Sequence, residues 1–258
     1  MKKSFIVIFL LVSAVLLFGV KTTYAQEQDS LTQDIYAFDI PLPLKDTPEQ
    51  ILYRKGYIVS YNQEHKIPNW VAWHLTKEHT LGILKRPSNA WHEDTQVPKP
   101  RAVNNDYRNS GWTRGHLCPA GDCKWDSVVM YESFLFTNAC PQHAKLNSGD
   151  WNEIEKACRT WAQKFGDIYI VSGPILFKQE HLTIGENNVT VPEAFFKVVV
   201  CLNGKPKGIG FICRNSEGNR TKDFYLNSIS QIERITGITF FPNLPLEIKT
   251  DYSLSDWE

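Results

Sequence analysis

Two runs rich in aromatic and β-branched residues, Tyr57-Ile58-Val59-Ser60-Tyr61 and Trp70-Val71-Ala72-Trp73-His74-Leu75, are separated by polar residues and a proline, a pattern that predicts a hairpin. Ile168 to Val171, ended by Ser172-Gly173-Pro174, predicts another strand. Phe195 to Leu202 and Gly208 to Cys213, joined through Asn203-Gly204, predict two more. Helices are expected around Val128 to Phe134, from Asp150 to about Phe165, and from Ser228 to Thr236 before Gly237. The middle one is the clearest. Trp151, Ile154, Cys158, Trp161 and Phe165 recur every three or four residues as a core-facing stripe, and Asp150 is placed to cap the helix with Glu153 three residues on. Glu155 and Arg159 lie together beside that stripe, where a surface ion pair is the ordinary outcome. Residues 77 to 112 read as loop. Together these elements describe an α+β fold, a central antiparallel sheet flanked by helices.

The ends divide the chain further. Met-Lys-Lys, an apolar run from Phe5 to Val20 and a small residue at Ala25 read as a cleaved signal peptide over residues 1–25, in preference to a membrane anchor. Residues 26–45 then form a polar, Pro-rich leader, 46–245 one domain, and 246–258 a C-terminal tail. The expected location is periplasmic or secreted, with no membrane attachment after cleavage.

Composition narrows the possibilities less. Without residues 1–25 the chain carries 25 basic against 28 acidic residues, a net charge of −3. Charge alone therefore does not indicate nucleic acid, and any such partner must meet a local basic cleft. The 6 cysteines are even in number and compatible with disulfides in an exported chain. Cys118 and Cys123 suit a short loop closure, although buried thiols fit the same count. No Cys-x-x-Cys pair suggests zinc.

The candidate chemistry sits in Gly111-Trp112-Thr113-Arg114-Gly115-His116-Leu117-Cys118-Pro119-Ala120-Gly121-Asp122, in Phe136-Thr137-Asn138-Ala139-Cys140-Pro141-Gln142, and in Leu146-Asn147-Ser148-Gly149-Asp150-Trp151. A histidine is a usable general base near neutral pH. An asparagine oxygen is a hard, neutral ligand suited to Mg²⁺. In isolation each has a bland alternative: most lone histidines are structural, and Asn-Ser-Gly before a helix is an ordinary turn.

Arg114-Gly115-His116, Asn138, Pro141-Gln142, Asn147, Trp151, Ile154-Glu155 and Arg159, in this order and spacing, resemble the signature of the DNA/RNA non-specific endonuclease family, which has a ββα-metal core. Asn105-Asp106-Tyr107-Arg108 ahead of the motif is similar to the family's mitochondrial branch. The resemblance implies a hydrolase that cuts phosphodiesters of DNA and RNA with little sequence preference. His116 would then be the general base and Asn147 the ligand of a single Mg²⁺, with Mn²⁺ an alternative. Glu155 would orient metal-bound water, and Arg159 would neutralise charge near the scissile phosphate. Arg114 and Asn138 belong to the implied site, and Arg86 lies where the family carries a phosphate-clamping arginine. A homodimer and an inhibitor protein are implied partners.

Thr113 departs from the pattern, since much of the family has Asp there. The alternatives kept open are a phosphodiesterase acting on small nucleotide diesters and a catalytically impaired nucleic-acid-binding module. His143 and Lys145 read as solvated loop residues. Trp112, Trp125 and Tyr131 read as core aromatics before base-stacking ones, and His74, His79, His92 and His181 have no motif around them.

Overall fold

The structure is a computed structural model that describes residues 40–258. The expected signal peptide over 1–25 and most of the expected leader over 26–45 lie outside the described residues. Eleven strands and six α-helices follow. The strands are β1 (Gln50–Tyr53), β2 (Ile58–Asn62), β3 (Ile67–Thr76), β4 (Thr113–His116), β5 (Ala139–Gln142), β6 (Asp167–Ile175), β7 (Thr183–Ile184), β8 (Val189–Thr190), β9 (Ala194–Cys201), β10 (Lys207–Arg214) and β11 (Leu226–Asn227). The helices are α1 (Asn104–Tyr107), α2 (Ser127–Ser133), α3 (Ala144–Ser148), α4 (Asp150–Phe165), α5 (Ile229–Thr236) and α6 (Leu246–Thr250).

Seven strands form one antiparallel sheet in the order β1-β2-β3-β6-β9-β10-β11. Strand alternation gives β9 two faces. Phe195 looks toward α4, 5.7 Å from the Trp151 ring. Phe196 looks the other way, 5.2 Å from Phe240. The stripe on α4 is buried as its period requires, and Trp161 stacks 6.2 Å from Phe211 of β10. Helices α5 and α6 cover the opposite face, so the α+β architecture expected from the sequence is the one observed.

Local departures from expectation have physical causes. Strand β6 runs on through Gly173 and Pro174 to Ile175. Its pairing with β3 stops at Ser172, so Pro174 lacks only a donor that no neighbour on that side would use. Pro68 is tolerated inside β3 because the register with β2 shifts at Ser60/Tyr61. Asp150 does not cap α4. Gly149 occupies the cap position, and the Asp150 carboxylate instead accepts from the backbone N–H groups of Asn219 (2.7 Å) and Arg220 (3.1 Å) and from the Tyr225 hydroxyl. Glu153 pairs with Lys156 at 2.7 Å. The C-terminal tail packs on the domain: Trp257 is buried, 4.7 Å from Trp161 and 5.9 Å from Phe165. All six cysteines are buried thiols, Cys118 Sγ lying 3.8 Å from Cys123 Sγ.

Ile154 sits at the centre of the α4 contact with the sheet and is wholly buried. Ile154→Ala should lower the unfolding free energy by about 2–5 kcal/mol through lost burial and a residual cavity. Urea unfolding followed by tryptophan fluorescence measures it.

Candidate active site

Strands β4 and β5 form a separate antiparallel pair, Thr113 opposite Gln142 and His116 opposite Ala139. Alternation puts Arg114 and His116 on one face and Thr113 and Gly115 on the other. Gly115 is required by closeness: a Cβ there would meet Gln142 Oε1 at 2.2 Å. The turn leaving His116 is clamped by Asn138. Its amide donates to Cys118 O (2.9 Å) and Ser133 O (2.8 Å), and its oxygen accepts from Cys118 N at 2.9 Å. Asn138 is fully buried and all its bonds go to backbone, so it shapes the site without facing it. The resemblance implies that it supports the site by hydrogen bonding, and its bonds here run to the turn after His116 and to the end of α2.

The His116 ring is held by aromatic walls, 4.4 Å from Trp91 and 4.9 Å from Phe134. Its Nε2 is buried without a hydrogen-bond partner, and among the described residues no carboxylate pairs with the ring. Burial, with the charge of Arg86 in support, lowers its pKa from the ordinary 6.5 to about 3. The imidazole is therefore neutral at physiological pH, with a nitrogen lone pair to offer. Arg86 lies over the other side of this cluster, its Cζ 4.9 Å from the Phe134 centroid.

Asn147, on α3, is oriented by a hydrogen-bond relay of fixed polarity. Thr113 Oγ1 spends its proton on Gln142 O (2.8 Å), so it can only accept from Asn147 Nδ2 at 3.0 Å. The amide nitrogen of Asn147 is thereby committed, and its oxygen is the end left for a ligand. Among the described residues no group of three or more His, Cys, Asp or Glu is arranged to hold a metal ion. A lone amide oxygen is a hard, neutral donor, of the kind that can serve a cation keeping most of its waters.

Glu155 and Arg159 project from α4 beside its buried stripe, but they do not form the ion pair expected between them. Arg159 Nη1 donates to Asp122 Oδ1 at 2.8 Å, an acid that the sequence reading passed over. Gly121 makes room, since a Cβ there would lie 2.7 Å from Arg159 Nη1. Asp122 is buried and also accepts from Trp73 Nε1 at 3.1 Å. Burial raises its pKa against the pull of Arg159, Lys197 and Trp73. Burial would lower the Arg159 pKa, yet the charge and hydrogen bond of Asp122 carry it above the usual value. Glu155 is half-buried, and desolvation lifts it to about 7 against the opposing charges of Lys197 and Arg159.

A recess of about 520 Å³ opens beside Trp91 and is lined by Arg86, Asn104, Arg108 and Arg114. None of these three arginines forms an ion pair among the described residues. Arg114 reaches Asn104 O at 3.3 Å, its Cζ lies 5.5 Å from the Tyr107 centroid, and its Nε is buried without a partner. Arg108 was visible only as part of the Asn105–Arg108 run. A larger cavity of about 770 Å³, lined by Leu44, Asn62, His65 and Ile238, contains none of the motif residues. Convergent chemistry therefore locates the site better than volume does. Lys145 pairs with Glu217, whereas His143, expected to be solvated, is half-buried with its Nδ1 buried and unpartnered and its ring 6.4 Å from Trp112. Trp125 stacks on His79 at 4.1 Å, and Tyr131, expected in the core, is instead 61% exposed and stacks on His92 at 4.1 Å.

Comparisons with known proteins identify the family. Residues 33–247 match the family model described as DNA/RNA non-specific endonuclease. The chain is 31% identical over 256 residues to the mitochondrial nuclease EXOG of Danio rerio, covering 92% of this chain and 74% of the relative. It is 34% identical over 207 residues to the Homo sapiens nuclease of that name, covering 73% of this chain but 56% of the relative, so it spans little more than half of the longer protein. Mitochondrial endonuclease G of Homo sapiens is 30% identical over 209 residues, covering 76% of this chain and 70% of the relative. A crystal structure of an EndoG/EndoGI complex shares the fold at a TM-score of 0.77 and 24% identity, covering 84% of this chain and 94% of the other. From the match over most of its length, the chain belongs to the DNA/RNA non-specific endonuclease family.

Proposed function

We propose that this chain is an exported, Mg²⁺-dependent endonuclease that hydrolyses DNA and RNA phosphodiesters with little sequence preference. The observation that carries the reading is the neutral imidazole of His116, its Nε2 unpartnered, beside a recess lined by three arginines without acidic partners. Export rests on the pattern of residues 1–25. A protein inhibitor is a natural counterpart, because the structural relative is held in a complex with one.

In this reading Arg86, Arg108 and Arg114 grip the backbone phosphates, which explains how a chain of net charge −3 after signal removal still binds a polyanion. His116 removes a proton from the attacking water. Arg159, held by Asp122, faces the charge that grows on the phosphoryl oxygens. Asn147 Oδ1 would hold the Mg²⁺, with Glu155 orienting its waters. When bound, the ion supplies Lewis-acid stabilisation of the phosphoryl and leaving oxygens. Thr113 does not disable this arrangement, because its hydroxyl still fixes the Asn147 amide.

Circular plasmid and single-stranded RNA should both be cut in Mg²⁺ and neither in chelator. His116→Ala should slow both by about 10² to 10⁴, the usual contribution of a placed general base. Plasmid and RNA that stay intact with the folded wild type would refute the reading.

Thr113→Val removes the acceptor for Asn147 Nδ2. It should raise the Mg²⁺ concentration needed for half-maximal rate while leaving the rate at saturating Mg²⁺ within about threefold. Thr113→Asp should stay active, since a carboxylate also accepts from Asn147. Metal titrations of the cleavage rate distinguish these outcomes.

The lowered His116 pKa has a consequence for stability. The unfolded chain binds the proton near 6.5 and the folded one only near 3, so stability rises with pH across that window and is lost as pH falls through it. His116→Ala should flatten this part of the curve of Tm against pH, measured by scanning calorimetry between about pH 4 and 7.

A further inference from the structure

Ile83 is 91% exposed, the most exposed large apolar side chain among the described residues, and Leu81 beside it is 63% exposed. Single exposed apolar side chains are ordinary on a protein surface. These two are set apart by how firmly their segment is fastened. His79 stacks on Trp125 at 4.1 Å, and Thr80 Oγ1 accepts from Gln163 Nε2 of α4 at 3.0 Å. The Leu84 N–H donates to Lys124 O at 3.2 Å. Gly82 lies so close to the turn before α2 that a Cβ there would collide with the backbone of Lys124 and Trp125. Between these anchors Leu81 and Ile83 are held out into water, where their apolar surface gains little from folding.

The apolar tip stands between two basic recesses. Gly82 lines one of about 370 Å³, together with Lys124, Lys156 and Arg159. Arg86, on the same segment, lines the other with Arg108 and Arg114. Lys156 is paired with Glu153, but Lys85, Arg86 and Lys124 form no ion pair among the described residues. The order along the surface is therefore cation, apolar tip, cation. A nucleic-acid strand has the complementary order, since its phosphates alternate with bases whose faces are apolar. An acidic protein would match the charges as well. The strand is favoured because Arg159 itself lines the first recess, so what crosses the tip is what reaches the arginine assigned to the scissile phosphate.

We propose that Leu81 and Ile83 form an apolar wedge that packs on nucleobases of the bound strand, while the recesses on either side take its phosphates. The inference rests on the nuclease reading and adds a base-contacting site to it. Aliphatic side chains are used in this way by proteins that pry base steps apart. Such a contact has no hydrogen-bonding groups with which to tell one base from another, so it contributes affinity without sequence preference. It also distinguishes a polymer from a diester that lacks bases. Rigidity matters here, because a tip already fixed in place loses little conformational freedom on binding.

Fluorescence anisotropy with chelator present, so that the strand is bound and not cut, compares single-stranded DNA with an abasic strand of equal length and equal phosphate count. The wild type should bind the base-bearing strand about tenfold more tightly, the scale of burying one isoleucine side chain. In Ile83→Ser the ratio of the two affinities should fall to about one, because the wedge has lost its apolar contact. Arg86→Ala should weaken both strands and keep the ratio, since the phosphates are common to both. A ratio that persists in folded Ile83→Ser overturns the proposal; if the substitution also changes sedimentation, the tip is instead a contact between two copies of the chain. Should Ile83→Ser not fold, Leu81→Ser takes its place, and failure of both to fold makes the tip structural and also overturns it. A wild type that cuts DNA and RNA but binds both strands equally overturns the wedge and leaves the nuclease reading standing. A wild type that cuts neither, yet shows the ratio and its collapse in Ile83→Ser, refutes the nuclease reading and leaves the wedge standing.

Discussion

The burial of α4 against the sheet is the constraint around which the site is arranged. Trp151, Ile154, Cys158 and Trp161 are almost without solvent exposure, and this apolar contact holds the helix in place. The same contact draws Glu155 and Arg159, which lie at its margin, into a medium where charges are costly. Asp122 makes the position of Arg159 tenable. The polar groups of the site thus follow from where the apolar ones had to go.

The hairpin of β4 and β5 is governed differently. It is too short to be stable by strand pairing alone. What fixes it is a set of side-chain bonds to backbone: Asn138 across the turn after His116, and Thr113 to Gln142. Substitution of a carboxylate by the Thr113 hydroxyl is therefore less drastic than residue type suggests. The position needs an acceptor for Asn147, and a hydroxyl that has already given its proton away is one.

Much of this was legible in the chain, for identifiable reasons. The α4 stripe is a local periodicity, and the strands from Tyr57, Trp70, Ile168, Phe195 and Gly208 are local concentrations of β-branched and aromatic residues, so both survive in one dimension. His116, Asn147, Glu155 and Arg159 stood out only as a motif, and the motif carried no information on partners. Asp122 sits in an irregular turn, with nothing nearby to mark its bond to Arg159. Lys197 reads as a lone polar interruption in Phe195-Phe196-Lys197-Val198-Val199, and its enclosure depends on Trp73 and Trp151, which approach it only in the folded chain. Asp150 misled for a related reason: a helix-start acid is a local signal, but the loop at Asn219 and Arg220 competes for it from far along the sequence.

The geometry of α4 has a mechanical corollary. Trp151, Glu155 and Arg159 succeed one another at intervals of four residues along a single rod, whereas His116 and Thr113 ride on the β4–β5 pair and Asn147 on α3. A slight translation of the rod moves Glu155 and Arg159 in unison and leaves their mutual spacing intact, but it changes their distance from the base. The helix therefore sets the spacing of Glu155 and Arg159, and its packing sets their place relative to the β4–β5 pair.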